Sequence, residues 1–203
     1  MTLLILGVLV SYLIGSLPTA YLVGRMVKGI DIRKHGSGNV GATNVFRVVG
    51  RKWGILVLIL DAFKGAFTSM GVSVFLPPPG VPPFLAALIY GSAAIAGHTW
   101  TFWLGFQGGK GVATSAGVFL ALAPKPALVA LLVWTVVFGW KRYVSLASLV
   151  TAVAFPICVF LFYRESQEFK MLFPISLGLT LFIFYTHQEN IQRLRRGEER
   201  PLV

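Results

Sequence analysis

The chain is poor in charge. Only 12% of its 203 residues are Asp, Glu, Lys or Arg, against roughly 25% in an average soluble domain. Carboxylates are scarcest, seven against eighteen basic residues, for a formal net charge of +11. So few acidic groups, with three scattered histidines (His35, His98 and His187), exclude a clustered metal site. The single cysteine, Cys158, excludes an intramolecular disulfide. Met1–Gly24 has no basic leader segment, and its apolar run exceeds that of a signal peptide, so it reads as a retained first helix. There is no internal repeat. No Walker A motif fits, because Gly111 follows Lys110 where Ser or Thr is required. No GxSxG elbow is present, no His is followed five positions on by Asp, and no aspartate motif repeats. Nothing resembles a nucleic-acid-binding module, so the positive charge is not read as a nucleic-acid footprint.

What is present is apolar length. Hydrophobic residues make up 56% of the chain. Charge-free runs cover Met1–Gly24, Pro77–Gly109, Gly111–Pro124, Pro126–Trp140, Tyr143–Tyr163 and Met171–Gln188. A bilayer core needs roughly 20 apolar residues per spanning helix. The expectation is an all-α, polytopic membrane helix bundle, one integral-membrane domain over residues 1–203. Seven helices are placed at about Leu3–Val23, Trp53–Leu76, Phe84–Ala96, Gly111–Ala123, Ala127–Gly139, Val144–Tyr163 and Met171–Tyr185. The fourth and fifth are short, and a fused re-entrant segment would change the count. Pro77–Pro83 is a stiff turn, and Pro124-Lys125-Pro126 ends the fourth helix.

Basic residues fall mostly on one face of this arrangement. The loop Arg25–Lys52, Lys110, Lys141-Arg142 and the tail from Arg193 to Arg200 lie together, whereas Lys125, Arg164 and Lys170 lie opposite. The positive-inside rule then puts the N-terminus outside and the C-terminus in the cytoplasm. Four polar stretches share the cytoplasmic face: His35–Asn44, Gly97–Gly111, Lys141–Ser145 and Thr186–Glu199. One-sided polarity suits an interfacial active site, whereas a transport path would scatter polar groups through the membrane depth.

Gly97–Thr114, GHTWTFWLGFQGGKGVAT, packs Gly108, Gly109 and Gly111 around Lys110. Glycines permit close backbone approach, and consecutive N–H groups before a helix form an anion cradle. His35–Asn44, HGSGNVGATN, is a second such stretch. Its Ser37, Gly38, Asn39, Thr43 and Asn44 add hydroxyl and amide donors, and Arg47 follows. Guanidinium pairs bidentately with phosphate. In THQENIQRLRRGEE, from Thr186, the residues His187, Asn190 and Arg193 are spaced by three and share a helical face. The plainer alternatives are a snorkelling lysine in a helix connection, a loop bonded to its own backbone and a basic helix end on anionic lipid. Glu198 and Glu199 are expected to pair with nearby arginines. Asp61 and Lys64 lie three apart within an apolar helix and are expected to pair. On the residues alone, the reading stops at an anion-binding membrane protein: an enzyme, or a small organophosphate transporter.

Taken together, the three motifs resemble those of the acyl-phosphate-dependent glycerol-3-phosphate acyltransferases of bacterial membranes, the PlsY family. GSGNVGATN with Arg47 resembles the first family motif, GHTWTFWLGFQGGKGVAT the second and HQENIQRLRRGEE the third, in matching order and spacing. The resemblance spans nearly the whole chain. One departure is Thr101, where many relatives carry proline.

The resemblance implies transfer of a fatty acyl group from acyl phosphate to the 1-hydroxyl of sn-glycerol 3-phosphate. It implies no cofactor or metal, and neither coenzyme A nor acyl carrier protein as donor. The expected place is the bacterial cytoplasmic (inner) membrane, with the lipid bilayer as surroundings and the active site on the cytoplasmic face. Ser37 and Arg47 would belong to the first motif's essential set. Gly108, Gly109 and Gly111 would hold the acyl-phosphate end, and Asn190 with Glu199 would carry the third motif's role. Lys110, Arg142, Ser145, His187 and Asn190 are expected to help hold glycerol 3-phosphate. Ser37, Gly38, Asn39, Thr43 and Asn44 are expected to receive the leaving phosphate, and His98 and Arg193 complete the binding set. The two phosphate assignments are interchangeable at this point. Either His187 or the acyl phosphate itself takes the hydroxyl proton, with substrate assistance slightly favoured, and a covalent Ser37 acyl-enzyme, which lacks an adjacent base, comes third.

Overall fold

The computed structural model describes residues 1–202. Among these every regular element is helical, and there is no strand. Among the described residues, four helical stretches are long and apolar enough to cross a membrane: Thr2–Lys28, Arg51–Phe75, Val144–Tyr163 and Phe169–Thr186. The chain divides into two compact units, Met1–Leu122 and Ala123–Val203.

The first unit opens with α1 (Thr2–Gly15) and α2 (Thr19–Lys28). The sequence reading gave one helix here. Pro18 interrupts it, because proline lacks the N–H that a continuing helix needs. Two short pieces follow, a 3₁₀ turn at Ile32–Lys34 and α3 (Ala42–Val48), and then the longer α4 (Arg51–Ala66). The backbone widens to a π-helix over Phe67–Val72 and closes with α5 (Ser73–Phe75). Thr68 and Ser69 hydroxyls in this wide turn bond back to the carbonyls of Lys64, Gly65 and Ala66. After the proline turn come α6 (Pro83–Thr99) and α7 (Val112–Leu122).

Small residues let these helices touch backbone to backbone. A Cβ on Gly15 of α1 would strike the Ala94 carbonyl of α6, and one on Gly117 of α7 would strike the Ala62 carbonyl of α4. Apolar side chains gain little by leaving lipid for protein, so close van der Waals contact is what holds such helices together. Beneath the first loop lies a separate apolar cluster, with Ala20, Ile32, Val45 and Val57 fully buried.

The second unit contains α8 (Pro124–Lys141), α9 (Val144–Tyr163), α10 (Phe169–Thr186) and α11 (Gln188–Arg196). Pro124-Lys125-Pro126 begins α8 and does not merely end α7. Proline at the first helical position loses no hydrogen bond and has its backbone angle already set. The bounds of α9 coincide with the expected helix. Pro156 lies inside it and deprives the Ala152 carbonyl of its helical donor. Thr180 of α10 donates its hydroxyl to that carbonyl at 2.6 Å.

Candidate functional site

The first loop is built around one buried amide. Asp31 caps the 3₁₀ turn by accepting from the Arg33 N–H at 3.1 Å and pairs with the guanidinium at 2.7 Å. Those bonds hold the Asp31 carboxyl down at about 2. Gly36 and Gly38 then take φ of 63° and 72°, the left-handed region where glycine is favoured. The resulting curl exposes three carbonyls to Asn44. Its amide nitrogen donates to Ile32, His35 and Asn39, and its oxygen accepts the Ser37 N–H at 3.0 Å. Asn44 is fully buried and was expected to receive phosphate. Its amide is instead engaged by the loop's own backbone. Ser37 and Arg47 are exposed, and Thr43 and Arg47 stand on α3.

The second loop docks on the end of α6. The N–H groups of Gly108 and Gly109 donate to the carbonyls of Thr99 and His98, at 2.9 and 3.0 Å. These two glycines therefore do not supply the run of anion-facing N–H groups read from the sequence. Close approach explains them. A Cβ on Gly108 would strike the His98 carbonyl, and one on Gly109 would strike the His98 ring at Nε2. The same Cβ on Gly109 would lie 2.8 Å from the Val40 carbonyl of the first loop. The two loops thus abut within this unit. Gly111, at φ 78°, turns the chain into α7, whose first N–H groups are the donors an anion would meet. Lys110 is half-buried beside it.

Under the second loop is a buried polar hub. Asp61, 1% exposed, accepts from Thr19 at 2.6 Å and pairs with Lys64 at 2.8 Å. His98 Nδ1 stands 3.5 Å from the same carboxylate oxygen. Lys64 also donates to the Leu17 carbonyl at 3.1 Å, and the Thr101 hydroxyl donates to the Ser16 carbonyl. Both carbonyls belong to the break between α1 and α2. Inside a membrane such interrupted backbone is tolerated where side chains satisfy it. Thr101 thereby joins the hub.

In the second unit the organising group is Glu199, whose side chain is 9% exposed. One carboxylate oxygen accepts from Ser145 at 2.6 Å and Asn190 at 2.7 Å; the other accepts from Arg193 at 2.8 Å. Burial pushes this carboxyl up, but the bonds from Ser145, Arg193 and Asn190 outweigh it and leave the group below its ordinary value. Ser145 lies in the first turn of α9, so the carboxylate also faces the positive end of that helix. Arg142 forms the left-handed turn between α8 and α9, and its carbonyl accepts the Leu202 N–H at 3.0 Å. His187 is buried at the junction of α10 and α11. Its Nδ1 is 2.8 Å from the Ile183 carbonyl. A carbonyl only accepts, so neutral His187 carries its proton on Nδ1 and its lone pair on Nε2. No group of three or more His, Cys, Asp or Glu able to hold a metal ion occurs among the described residues.

Sequence spacing made the Asp61–Lys64 and Glu199–Arg193 pairs legible. It missed His98 as a third member of the first pair and Thr19 as a fourth, because they are distant in sequence and carry no shared motif. It also missed Ser145 and Asn190 as holders of Glu199.

The family model described as glycerol-3-phosphate acyltransferase matches residues 5–197. A glycerol-3-phosphate acyltransferase of Chlorobium phaeobacteroides (strain BS1) is 43% identical, covering 97% of this chain and 95% of the relative. That of Desulforudis audaxviator is 46% identical, covering 96% and 93%. Crystal structures of PlsY, an integral membrane glycerol 3-phosphate acyltransferase, superpose closely. The glycerol 3-phosphate form gives a TM-score of 0.86 at 37% identity, covering 98% of this chain and 94% of that one. The lysophosphatidic acid form gives 0.84 at 36% identity, with the same coverage. Helical membrane architecture, three polar motifs and full-length similarity agree, and the chain belongs to the PlsY family of integral membrane glycerol-3-phosphate acyltransferases.

Proposed function

We propose that this enzyme takes its acyl group from a long-chain acyl phosphate and delivers it to the 1-hydroxyl of sn-glycerol 3-phosphate. Lysophosphatidic acid and inorganic phosphate leave. Coenzyme A and acyl carrier protein are not needed as donors. Residues 1–203 act as one enzyme, spanning the bacterial cytoplasmic membrane seven times, with the N-terminus outside and the reaction on the cytoplasmic face.

The observation that carries this reading is the contact of the two glycine-rich loops at Gly109 and Val40. It brings a hydroxyl-bearing loop beside a lysine-bearing loop that runs into the start of α7. Ser37, Gly38, Asn39, Thr43 and Arg47 receive the leaving phosphate, with Asn44 shaping their loop. Lys110, Gly111 and the first turn of α7 neutralise a phosphate, with Gly108 and Gly109 fixing the loop's seat. In the second unit, Arg142 supplies charge, Asn190 an amide and His187 an acceptor at Nε2 for glycerol 3-phosphate. Ser145 and Arg193 act there through Glu199.

The substrate hydroxyl oxygen attacks the acyl carbonyl carbon. A new ester C–O bond forms and the C–O bond to phosphate breaks. The hydroxyl proton passes to the departing phosphate, or to Nε2 of His187. A mixed anhydride is already activated, so positioning and charge stabilisation carry most of the acceleration. We favour proton transfer to the phosphate, because the motifs are rich in donors and poor in bases. His187→Gln with nearly unchanged turnover supports that route, whereas a loss of turnover that goes together with loss of its pH dependence assigns the base to His187.

The deciding experiment measures phosphate release from palmitoyl phosphate by purified protein, with and without glycerol 3-phosphate, in metal-free buffer. Release that requires glycerol 3-phosphate, Ser37 and Lys110 is expected. Acyl transfer to glycerol 3-phosphate from acyl-coenzyme A, read as free coenzyme A thiol, with none from palmitoyl phosphate, or no phosphate release alongside intact substrate binding, overturns the proposal. The latter outcome directs attention to anion flux in liposomes.

A further inference from the structure

We propose that Asp61 and His98 form a positioning pair that seats the glycine loop at Gly109 against the first loop at Val40. The inference rests on the reading of Gly108–Gly111 as part of a phosphate-binding loop.

The geometry is a chain of contacts. Asp61 is fixed from three sides, by Thr19 of α2, by Lys64 one turn along α4 and by His98 near the end of α6. Lys64 is itself anchored on the Leu17 carbonyl. The carboxylate therefore has little freedom, and it holds the imidazole through Nδ1. That orientation sends the opposite edge of the ring, Nε2, against the backbone of Gly109. Beyond Gly109 stands the Val40 carbonyl. The ring is a rigid spacer whose one end is clamped in the helices and whose other end sets the height of the loop.

Two observations separate this role from plain core filling. Apolar residues would fill the same volume without leaving a carboxylate, an ammonium and an imidazole to be satisfied where water is scarce; an ion pair there adds little net stability over apolar packing and is retained where it fixes geometry. The side chain at 109 must also be absent, since any Cβ would meet the ring on one side and the Val40 carbonyl on the other. His98 was expected as a ligand of phosphate. Here it acts through Gly109 and is a positioning residue.

The decisive variant is His98→Asn, made in the full-length enzyme. The asparagine amide nitrogen falls near the place of Nδ1, so Asp61 keeps a donor, but nothing reaches Gly109. The expected result is a KM for palmitoyl phosphate raised roughly tenfold, with the KM for glycerol 3-phosphate and the kcat nearly unchanged. Hydrogen exchange at the Gly108 and Gly109 amides should quicken roughly tenfold, while α1 and α4 keep their protection. Asp61→Asn should give the same pair of effects if it folds. It leaves Lys64 without its counter-charge, so His98→Asn decides where Asp61→Asn does not fold. A His98→Asn enzyme whose loop exchanges as in wild type overturns the proposal. So does one that loses kcat with both KM values unchanged. Should wild type release no phosphate from palmitoyl phosphate, the proposed reaction fails, and the exchange measurement still decides whether His98 seats the loop.

Discussion

At the scale of the residue, the polar motifs divide into groups that shape loops and groups that face outward. Asn44 belongs to the first kind. Its amide ties three carbonyls and one N–H, and a net hydrogen bond stabilises by about 1 kcal/mol. Asn44→Ala should therefore cost about 3 kcal/mol of stability and most of the activity. Ser37 is exposed. Ser37→Ala should change stability by less than about 0.5 kcal/mol yet lower turnover roughly a hundredfold. Unfolding in detergent, read beside acyl transfer, separates the two. Both residues sit in the same run of small polar side chains, and nothing in the one-dimensional pattern says which faces inward. Glu199 gives a prediction in pH. Its folded-state carboxyl lies below the ordinary value of 4.5, so its stabilisation is fully present above that value. It is lost as pH falls below 4.5 through the depressed folded value. Glu199→Gln should flatten that part of the stability profile, and a thermal midpoint measured against pH checks it. An unchanged acid limb would show that the pairing with Ser145, Asn190 and Arg193 contributes nothing.

At the scale of the element, apolar run length located every long helix, because a bilayer demands it. The third, fourth and fifth apolar segments became α6, α7 and α8 with ends shifted by a few residues. What length does not encode is how breaks are repaired. Pro18 divides the first span and Pro156 removes one bond from the ladder of α9, and in both places a side chain from elsewhere in the fold bonds a carbonyl at the break. Thr101 and Lys64 do so for the first break, and Thr180 does so for the second. These partners are set by packing and cannot be read from local spacing. The second repair can be measured in a double-mutant cycle. Thr180→Val removes the donor and should cost about 1 kcal/mol. In a Pro156→Ala background the residue at 156 regains an N–H for Ala152, so the same substitution should cost much less. Equal costs in both backgrounds would mean that Thr180 is valued for its packing and not for its hydroxyl.

At the scale of the whole molecule, the charge pattern makes a claim that backbone geometry does not. The loop of seven basic residues from Arg25 to Lys52 and the arginine-rich tail both belong to the cytoplasm if the positive-inside rule holds over seven crossings. The uncharged turn at Pro77–Pro82 and the turn of mixed charge at Arg164–Glu168 then belong outside. The one native thiol, Cys158, is buried within α9, which leaves a quiet background for single introduced cysteines. A membrane-impermeant maleimide applied to intact cells lacking an outer-membrane barrier should label Gly80→Cys and Gln167→Cys. Lys34→Cys and Gln192→Cys should react only after permeabilisation. Labelling of Lys34→Cys and Gln192→Cys from outside would invert the topology. Labelling of Gly80→Cys and Gln192→Cys from the same side would instead break the seven-crossing count, since an odd number of spans separates those positions in it.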